Sequence, residues 1–366
     1  MPKLRNNEIS IAFDMGGCPN RCKHCWIGHL KNKKIDIEKI KEIVNEFRNY
    51  KINEDDSTYF NKVFVSTWFR EPDYLPNYKE LYDLEEELSD EVKRFELMSV
   101  WRIARDKDYV KWAKDIGTQK CQITFFGLEE NTDYFAGRKG TFKDNLIATD
   151  RLIEEGIVPR WQLFLNEENK GELQAFTKLI EDLKLEDRVK AIGKEFEVFV
   201  YLPAPYGEAF NLENIRPKAN ILDSIPTYLK EKTLKYFNSK DIKAILGYEE
   251  KELLPKLLEN NDSLSEYPFI LSFMITSDLE VYCNAGEVVP WWSLGNLNYD
   301  SVEKIMDNYI NNASLGLKLM YEVPISKLAK ECGNLDGISI YTEEDLIMKY
   351  IHMYGENLHE NGELLK

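Results

Sequence analysis

Residues 8–28 read EISIAFDMGGCPNRCKHCWIG: a short apolar run ending at Phe13, two glycines, then Cys18, Cys22 and Cys25 within eight positions. The chain has 366 residues and only six cysteines, so half of its thiols stand in this one loop. Thiols gathered this closely point to a metal or redox centre rather than to scattered core positions. Gly16 and Gly17 allow the backbone to turn sharply after the strand. The spacing C-x3-C-x2-C supplies three thiolates, whereas structural zinc and iron–sulfur clusters ordinarily take four protein ligands. Zinc would need His24 or His29 as the fourth, and His24 lies between two of the cysteines, where a chelate is strained. A cubane held by three thiolates leaves one iron open to a small molecule. Arg21 and Lys23 put positive charge beside such an anionic cluster, or are two solvated side chains.

Downstream, short apolar runs alternate with stretches of helical period. Strands are predicted at 8–13, 62–67, 94–100, 121–126, 158–165 and 195–202. Helices are predicted at 36–49, with Asp36 as N-cap, and at 77–88, 106–114, 142–155 and 171–183, with Gly156 closing the fourth. Alternation of this kind calls for a parallel sheet with right-handed crossovers. The α/β class follows, as a partial (β/α)6 TIM-like barrel or a doubly wound sheet. In both, ligands bind beyond the C-terminal ends of the strands, where the cysteine loop lies. The pattern changes near Arg216, which divides 1–217, the barrel, from 218–366, an α+β extension. That extension holds helical stretches over 217–262, a hairpin from PFILSFMIT (268–276) and VYC (281–283), and helices at about 300–311 and 342–353.

Hydrophobic residues make up 43% of the chain and charged residues 31%, with 48 basic against 64 acidic side chains and a net charge of −16. A nucleic-acid partner is disfavoured, because phosphates need a basic face, and so is an anionic membrane surface. The start MPKLRNNEIS has no apolar secretory core, and no apolar run approaches the length of a membrane span. A cytoplasmic location is expected, where cysteines stay reduced.

With three cysteines spaced as C-x3-C-x2-C after the first strand, the chain resembles the radical S-adenosylmethionine superfamily over residues 12–215. Cys18, Cys22 and Cys25 match its signature, and His24 takes the usually aromatic position beside the last cysteine. The resemblance implies a [4Fe-4S] cluster whose open iron is chelated by the amino and carboxylate groups of S-adenosylmethionine. It also implies one-electron reduction, by a partner such as flavodoxin or ferredoxin. Cleavage then yields methionine and a 5′-deoxyadenosyl radical that abstracts hydrogen from a C–H bond. Phe69-Arg70-Glu71-Pro72 stands where the family has Gly-Gly-Glu-Pro. The resemblance assigns Glu71 to the methionine amino group, while Phe69 and Arg70 depart from the two glycines. ITFFGLEENTDYFAGRKGTF (123–142) resembles the family's I-S-L-D-G…D…R…G-S-F, with Phe126 replacing the aspartate. It assigns Thr124 and Arg138 to the carboxylate of S-adenosylmethionine. Ordinary readings stand beside these: Glu71 as a charge at a helix N-terminus, Arg138 as a surface charge.

Residues 276–311 resemble the SPASM and twitch extensions of that superfamily, in which Cys283 would ligate an auxiliary cluster. The second expected ligand position holds Asp300, and the pair begun by Cys332 is broken by Leu335. Two cysteines cannot hold a conventional cluster, so a SPASM-like domain lacking it is expected. Cys283 is then either a hydrogen-atom donor to a substrate radical or a buried small hydrophobe. Cys121 reads as core. Trp291 and Trp292 read as packing between the domains or as a substrate wall. The signature begins at residue 18, which leaves no room before it for a peptide-recognition domain. A small-molecule substrate (sugar, cyclitol or amino acid) is therefore expected, undergoing epimerisation, dehydrogenation or rearrangement. A ribosomally made peptide is the alternative, and a non-enzymatic metal-binding or regulatory protein on the same scaffold is the competing class.

Overall fold

A computed structural model describes residues 6–53, 57–92, 96–264, 270–283 and 287–362. The first strand, β1 (Glu8–Phe13), alternates half-buried and buried positions, with Ile9, Ile11 and Phe13 fully enclosed. Enclosing each such side chain contributes about 1.5–3 kcal/mol. β1 pairs in parallel with β2 (Lys62–Ser66), Ile11 opposite Val65. The crossover is the helix Ile37–Arg48, which buries Ile40, Ile43, Val44 and Phe47 on one face. Asp36 caps it as the sequence requires, its carboxylate accepting the N–H groups of Glu38 and Lys39.

A second parallel group follows: β3 (Lys120–Phe125), β4 (Val158–Phe164) and β5 (Glu197–Tyr201), hydrogen-bonded in that order. Helices Thr141–Glu154 and Leu173–Asp182 cross between these strands. Trp161 of β4 is fully buried against Phe125 and Phe176. A short β6 (Tyr248–Glu249) precedes β7 (Leu271–Ile275), β8 (Glu280–Cys283) and β9 (Ser293–Asn296); β10 (Ile340–Tyr341) returns antiparallel to β6.

The third strand expected at 94–100 is not formed at its described residues, 96–100; Arg94 and Phe95 lie outside the described residues. Ser99 instead caps a short helix, Val100–Ile103, its hydroxyl accepting the Arg102 N–H at 3.2 Å. The outer edge of β2 is satisfied locally. Val63 donates to the Asp90 carboxylate (2.7 Å) and Val65 to the Ser89 hydroxyl (2.8 Å). On the facing edge, Gln122 of β3 donates to the Glu96 carbonyl at 2.9 Å. Side chains take the bonds a ladder would have used at the β2 edge, and a single main-chain bond takes one at the β3 edge, so the parallel strands form two groups rather than six successive barrel strands.

The expected hairpin is present, β7 and β8 antiparallel with Phe273 opposite Cys283. β7 also pairs in parallel with β1, Ile11 opposite Phe273, so the first sheet runs β2-β1-β7-β8-β9 and draws strands from both sides of residue 217. The helix predicted at 342–353 extends over Glu343–Glu360. No helix among the described residues is long and apolar enough to cross a membrane.

Candidate active site

Beyond the C-terminal ends of β1, β2 and β3 lies a cavity of about 330 Å³. Cys18, Cys22, Cys25, His24, Glu71, Thr124 and Arg138 all line it, residues drawn from three separate stretches of sequence. The cysteine loop leaves β1 through Gly16 and Gly17, both at positive φ (113° and 85°). It is held from several sides by backbone bonds. Arg21 and Lys23 donate to the carbonyls of Ala136 and Phe135 (3.1 and 2.8 Å), and Glu208 donates to the Cys25 carbonyl (2.9 Å). Gly207 (φ 62°) has no room for a side chain, since a Cβ there would lie 2.4 Å from the Trp26 carbonyl oxygen.

The three loop cysteines are not in disulfides. Burial pushes the Cys22 thiol up to about 12 and raises Cys18 and Cys25 as well, with the Glu71 carboxylate adding to the first two. Three neutral, half-buried thiols become thiolates only against a strong positive charge, which coordinated metal supplies. Zinc with a histidine is not what is arranged. His24 packs against the rings of Phe126 and Phe164 (centroids 4.3 and 4.9 Å), which also touch each other. Burial lowers its imidazole to about 3, so it is neutral, and its Nδ1 is buried with no hydrogen-bond partner. His29 is engaged by the Cys22 carbonyl oxygen (3.1 Å) and by Glu208 (3.3 Å). Among the described residues no group of three His, Cys, Asp or Glu converges on a single ion.

Glu71 accepts a hydrogen bond from the Ser99 hydroxyl at 2.8 Å. Burial raises its carboxyl to about 7, against the opposing pull of Ser99 and Arg138. Arg138 is mostly buried, donating to Asn20 (2.6 Å) and pairing with Asp144 (2.7 Å), so it is not an ordinary surface charge. Thr124 is fixed through its carbonyl, which accepts from Asn145 at 2.8 Å. Trp26, Trp68 and Trp101 complete the walls.

Cys283 stands apart. It is 1% exposed in the core and is not among the described residues lining the cavity. Trp291 and Trp292 are likewise buried in that core, Trp291 edge-on to His352. Cys332 donates weakly to the Tyr350 carbonyl (3.6 Å). The Asp300 carboxylate accepts the Asn296 N–H (2.9 Å) and closes the turn beneath Gly295. Several residues of the site carried no signal in the spacing. Ser99 and Asn32 are visible only once the chain is folded, and Arg70 showed in the sequence only as a departure from glycine.

No protein-family model matches the chain, and no curated protein sequence matches it. Solved structures do. Native anSMEcpe with bound AdoMet aligns with a TM-score of 0.50 at 13% identity, over 97% of this chain and 99% of that one. The polyhistidine-tagged form with bound AdoMet gives 0.51 at 14%, over 97% and 95%. The native form with AdoMet and the Cp18Cys peptide gives 0.51 at 13%, over 97% and 99%. The likeness extends over nearly the whole length of both chains and is one of fold.

Proposed function

We propose that the protein is a radical S-adenosylmethionine enzyme, with Cys18, Cys22 and Cys25 as the ligands of one [4Fe-4S] cluster. The observation that carries this reading is the convergence of the three thiols with Glu71, Thr124 and Arg138 on one cavity. Glu71 accepts an N–H of the cosubstrate's amino group, and Thr124 and Arg138 meet its carboxylate, which suits a guanidinium fork. His24, neutral and packed against two phenylalanines, is an apolar wall beside the cluster. When bound, the cluster and S-adenosylmethionine supply one-electron cleavage of the cosubstrate and hydrogen abstraction from a C–H bond. The electron comes from a small redox protein such as flavodoxin or ferredoxin. The residues beyond 217 form a SPASM-like unit without an auxiliary cluster. Engagement of Asp300 in its own turn and burial of Cys283 support this.

The substrate is a small molecule, for which Trp26, Trp68 and Trp101 offer flat apolar faces that stack on sugars and rings. A peptide is the second reading, favoured by the Cp18Cys peptide bound to the similarly folded anSMEcpe. Anaerobic reconstitution tests the assignment. About four irons per chain are expected, as one cubane requires, and changing Cys18, Cys22 and Cys25 together to alanine removes them. Four irons surviving the triple change would place the cluster elsewhere. Release of 5′-deoxyadenosine with low-molecular-mass rather than peptide fractions separates the two substrates.

A further inference from the structure

We infer that Arg70 is a positioning residue that braces the cysteine loop and sets the charge beside it. Its guanidinium is nearly enclosed, at 7% side-chain exposure, and so is Asp14, at 2%. Nε donates to both Asp14 oxygens (3.1 and 3.0 Å) and Nη2 to Oδ2 (2.5 Å). Nη1 donates to the Leu30 carbonyl (2.9 Å) and Nη2 to that of Lys31 (3.1 Å). Asp14 directly follows β1 and is anchored to β7, its N–H donating to the Ile275 carbonyl at 3.0 Å. Leu30 and Lys31 lie at the far end of the loop. One planar cation therefore ties together the two ends of the segment that carries all three cysteines, a task that needs the geometry of a fork.

The neighbouring residues are built around this cation. A Cβ on Gly17 would lie 2.6 Å from Arg70 Nη2 and 1.8 Å from Asn32 Oδ1, so the absent side chain is what admits both. Asn32, next to Lys31, accepts the Cys18 N–H (3.2 Å) and donates to the Cys18 carbonyl (3.1 Å). Arg70 thus reaches Cys18 through two residues, Lys31 and Asn32. Where the resembling family has glycine at this position, the present chain has glycine on the opposite wall and a cation between. Two consequences follow. The loop is ordered before any cluster is present. A reduced cluster, more negative by one charge, is favoured by Arg70 and disfavoured by Asp14.

The first consequence does not depend on the proposed function; the second rests on it. Alkylation of Cys18, Cys22 and Cys25 by iodoacetamide in the metal-free protein tests the first. Arg70→Gly and Arg70→Lys should both speed alkylation, the glycine variant by about tenfold or more, the effect of losing a charge-assisted buried contact. Lysine lacks the fork and so cannot bond both ends of the loop. If Arg70→Gly does not fold, Arg70→Lys carries the test alone, and a wild-type alkylation rate in it overturns the brace. On reconstituted protein, redox titration followed by electron paramagnetic resonance should find the midpoint potential lowered in Arg70→Gly, near wild type in Arg70→Lys and raised in Asp14→Asn. Shifts of the same sign in Arg70→Gly and Asp14→Asn would reduce the pair to a packing contact. Wild-type protein that takes up no iron would dispose of the proposed function while leaving the alkylation result to judge the brace.

Discussion

Glu71 is a carboxyl group kept near neutrality by its surroundings, and that makes its charge a measurable quantity. Its folded value, about 7, lies above the ordinary 4.5, because burial outweighs the help of Ser99 and Arg138. The folded state therefore holds the proton more tightly than the unfolded chain. The contribution to stability is complete below about pH 4.5 and is lost as pH rises through 7. Urea titrations of the metal-free protein should show this decline between pH 5 and 8, and Glu71→Gln, which has no proton to lose, should flatten it. In the reconstituted protein the same change should weaken S-adenosylmethionine binding about tenfold, since a bond to a charged group contributes roughly 1.5–3 kcal/mol. Calorimetry showing unchanged affinity would return Glu71 to the part of a helix-end charge. Cys283 is open to a different measurement. In deuterated water, a thiol that returns hydrogen to the substrate would leave one solvent deuterium in the product. Its burial in the core leads us to expect no deuterium and nearly full turnover in Cys283→Ala. The three loop cysteines were legible in the sequence because thiol spacing after a strand is a local property, whereas Glu71, Thr124 and Arg138 were singled out only by the resemblance of their stretches to a family's motifs. Arg70, Asn32 and Ser99 were not legible, because each acts on a partner between 14 and 56 residues away.

Strand formation followed the sequence where apolar residues faced a partner strand, on both sides for β1 and β4 and on one side for β2, β3 and β5. β1, β2, β3, β4 and β5 all fall within a few residues of their predicted spans. The stretch at 94–100 has the composition of a strand, yet at residues 96–100 it yields to Ser99 as a helix cap and to Ser89 and Asp90 as edge partners. Propensity counts side chains one at a time and does not see which backbone groups a neighbour has already satisfied. Asp90 occupies the key position, because it accepts the Val63 N–H and also pairs with Arg48 of the first crossover helix at 3.0 Å. Asp90→Ala should leave that N–H without its partner and cost about 1–3 kcal/mol. Denaturant unfolding would read the loss. Asp90→Asn, which retains an acceptor oxygen, should recover most of it, and equal losses in the two variants would argue against the edge role.

Along the whole chain, the division near residue 217 was drawn from a change of pattern, and β7 lies beyond it. Pattern alone could not reveal that this strand seats against β1, since register across more than two hundred residues leaves no local trace. The sheet makes a definite expectation of any fragment. Cut at 217, β1 would lose the partner bonded along Ile9 to Phe13 and would expose an edge flanked by Ile9 and Ile11. Such edges invite aggregation. The fragment 1–217 should therefore be poorly soluble and lack a cooperative melting transition, as circular dichroism would record. A soluble fragment with a sharp transition would mean that the β1–β7 pairing is not needed to hold the first sheet together.

That same pairing fixes an order of events during synthesis. β1 leaves the ribosome well before residues 271–275, the strand it pairs with. At about 5–20 residues per second, the N-terminal strand waits on the order of tens of seconds for its neighbour. Throughout that interval Asp14 lacks the Ile275 carbonyl that anchors it, and the thiols just beyond stand in an unfinished wall. Iron delivered to the nascent chain would meet mobile cysteines, able to bind wrongly or to oxidise. If the protein takes up the proposed cluster, its cysteines are best placed to receive iron once β7 has seated against β1.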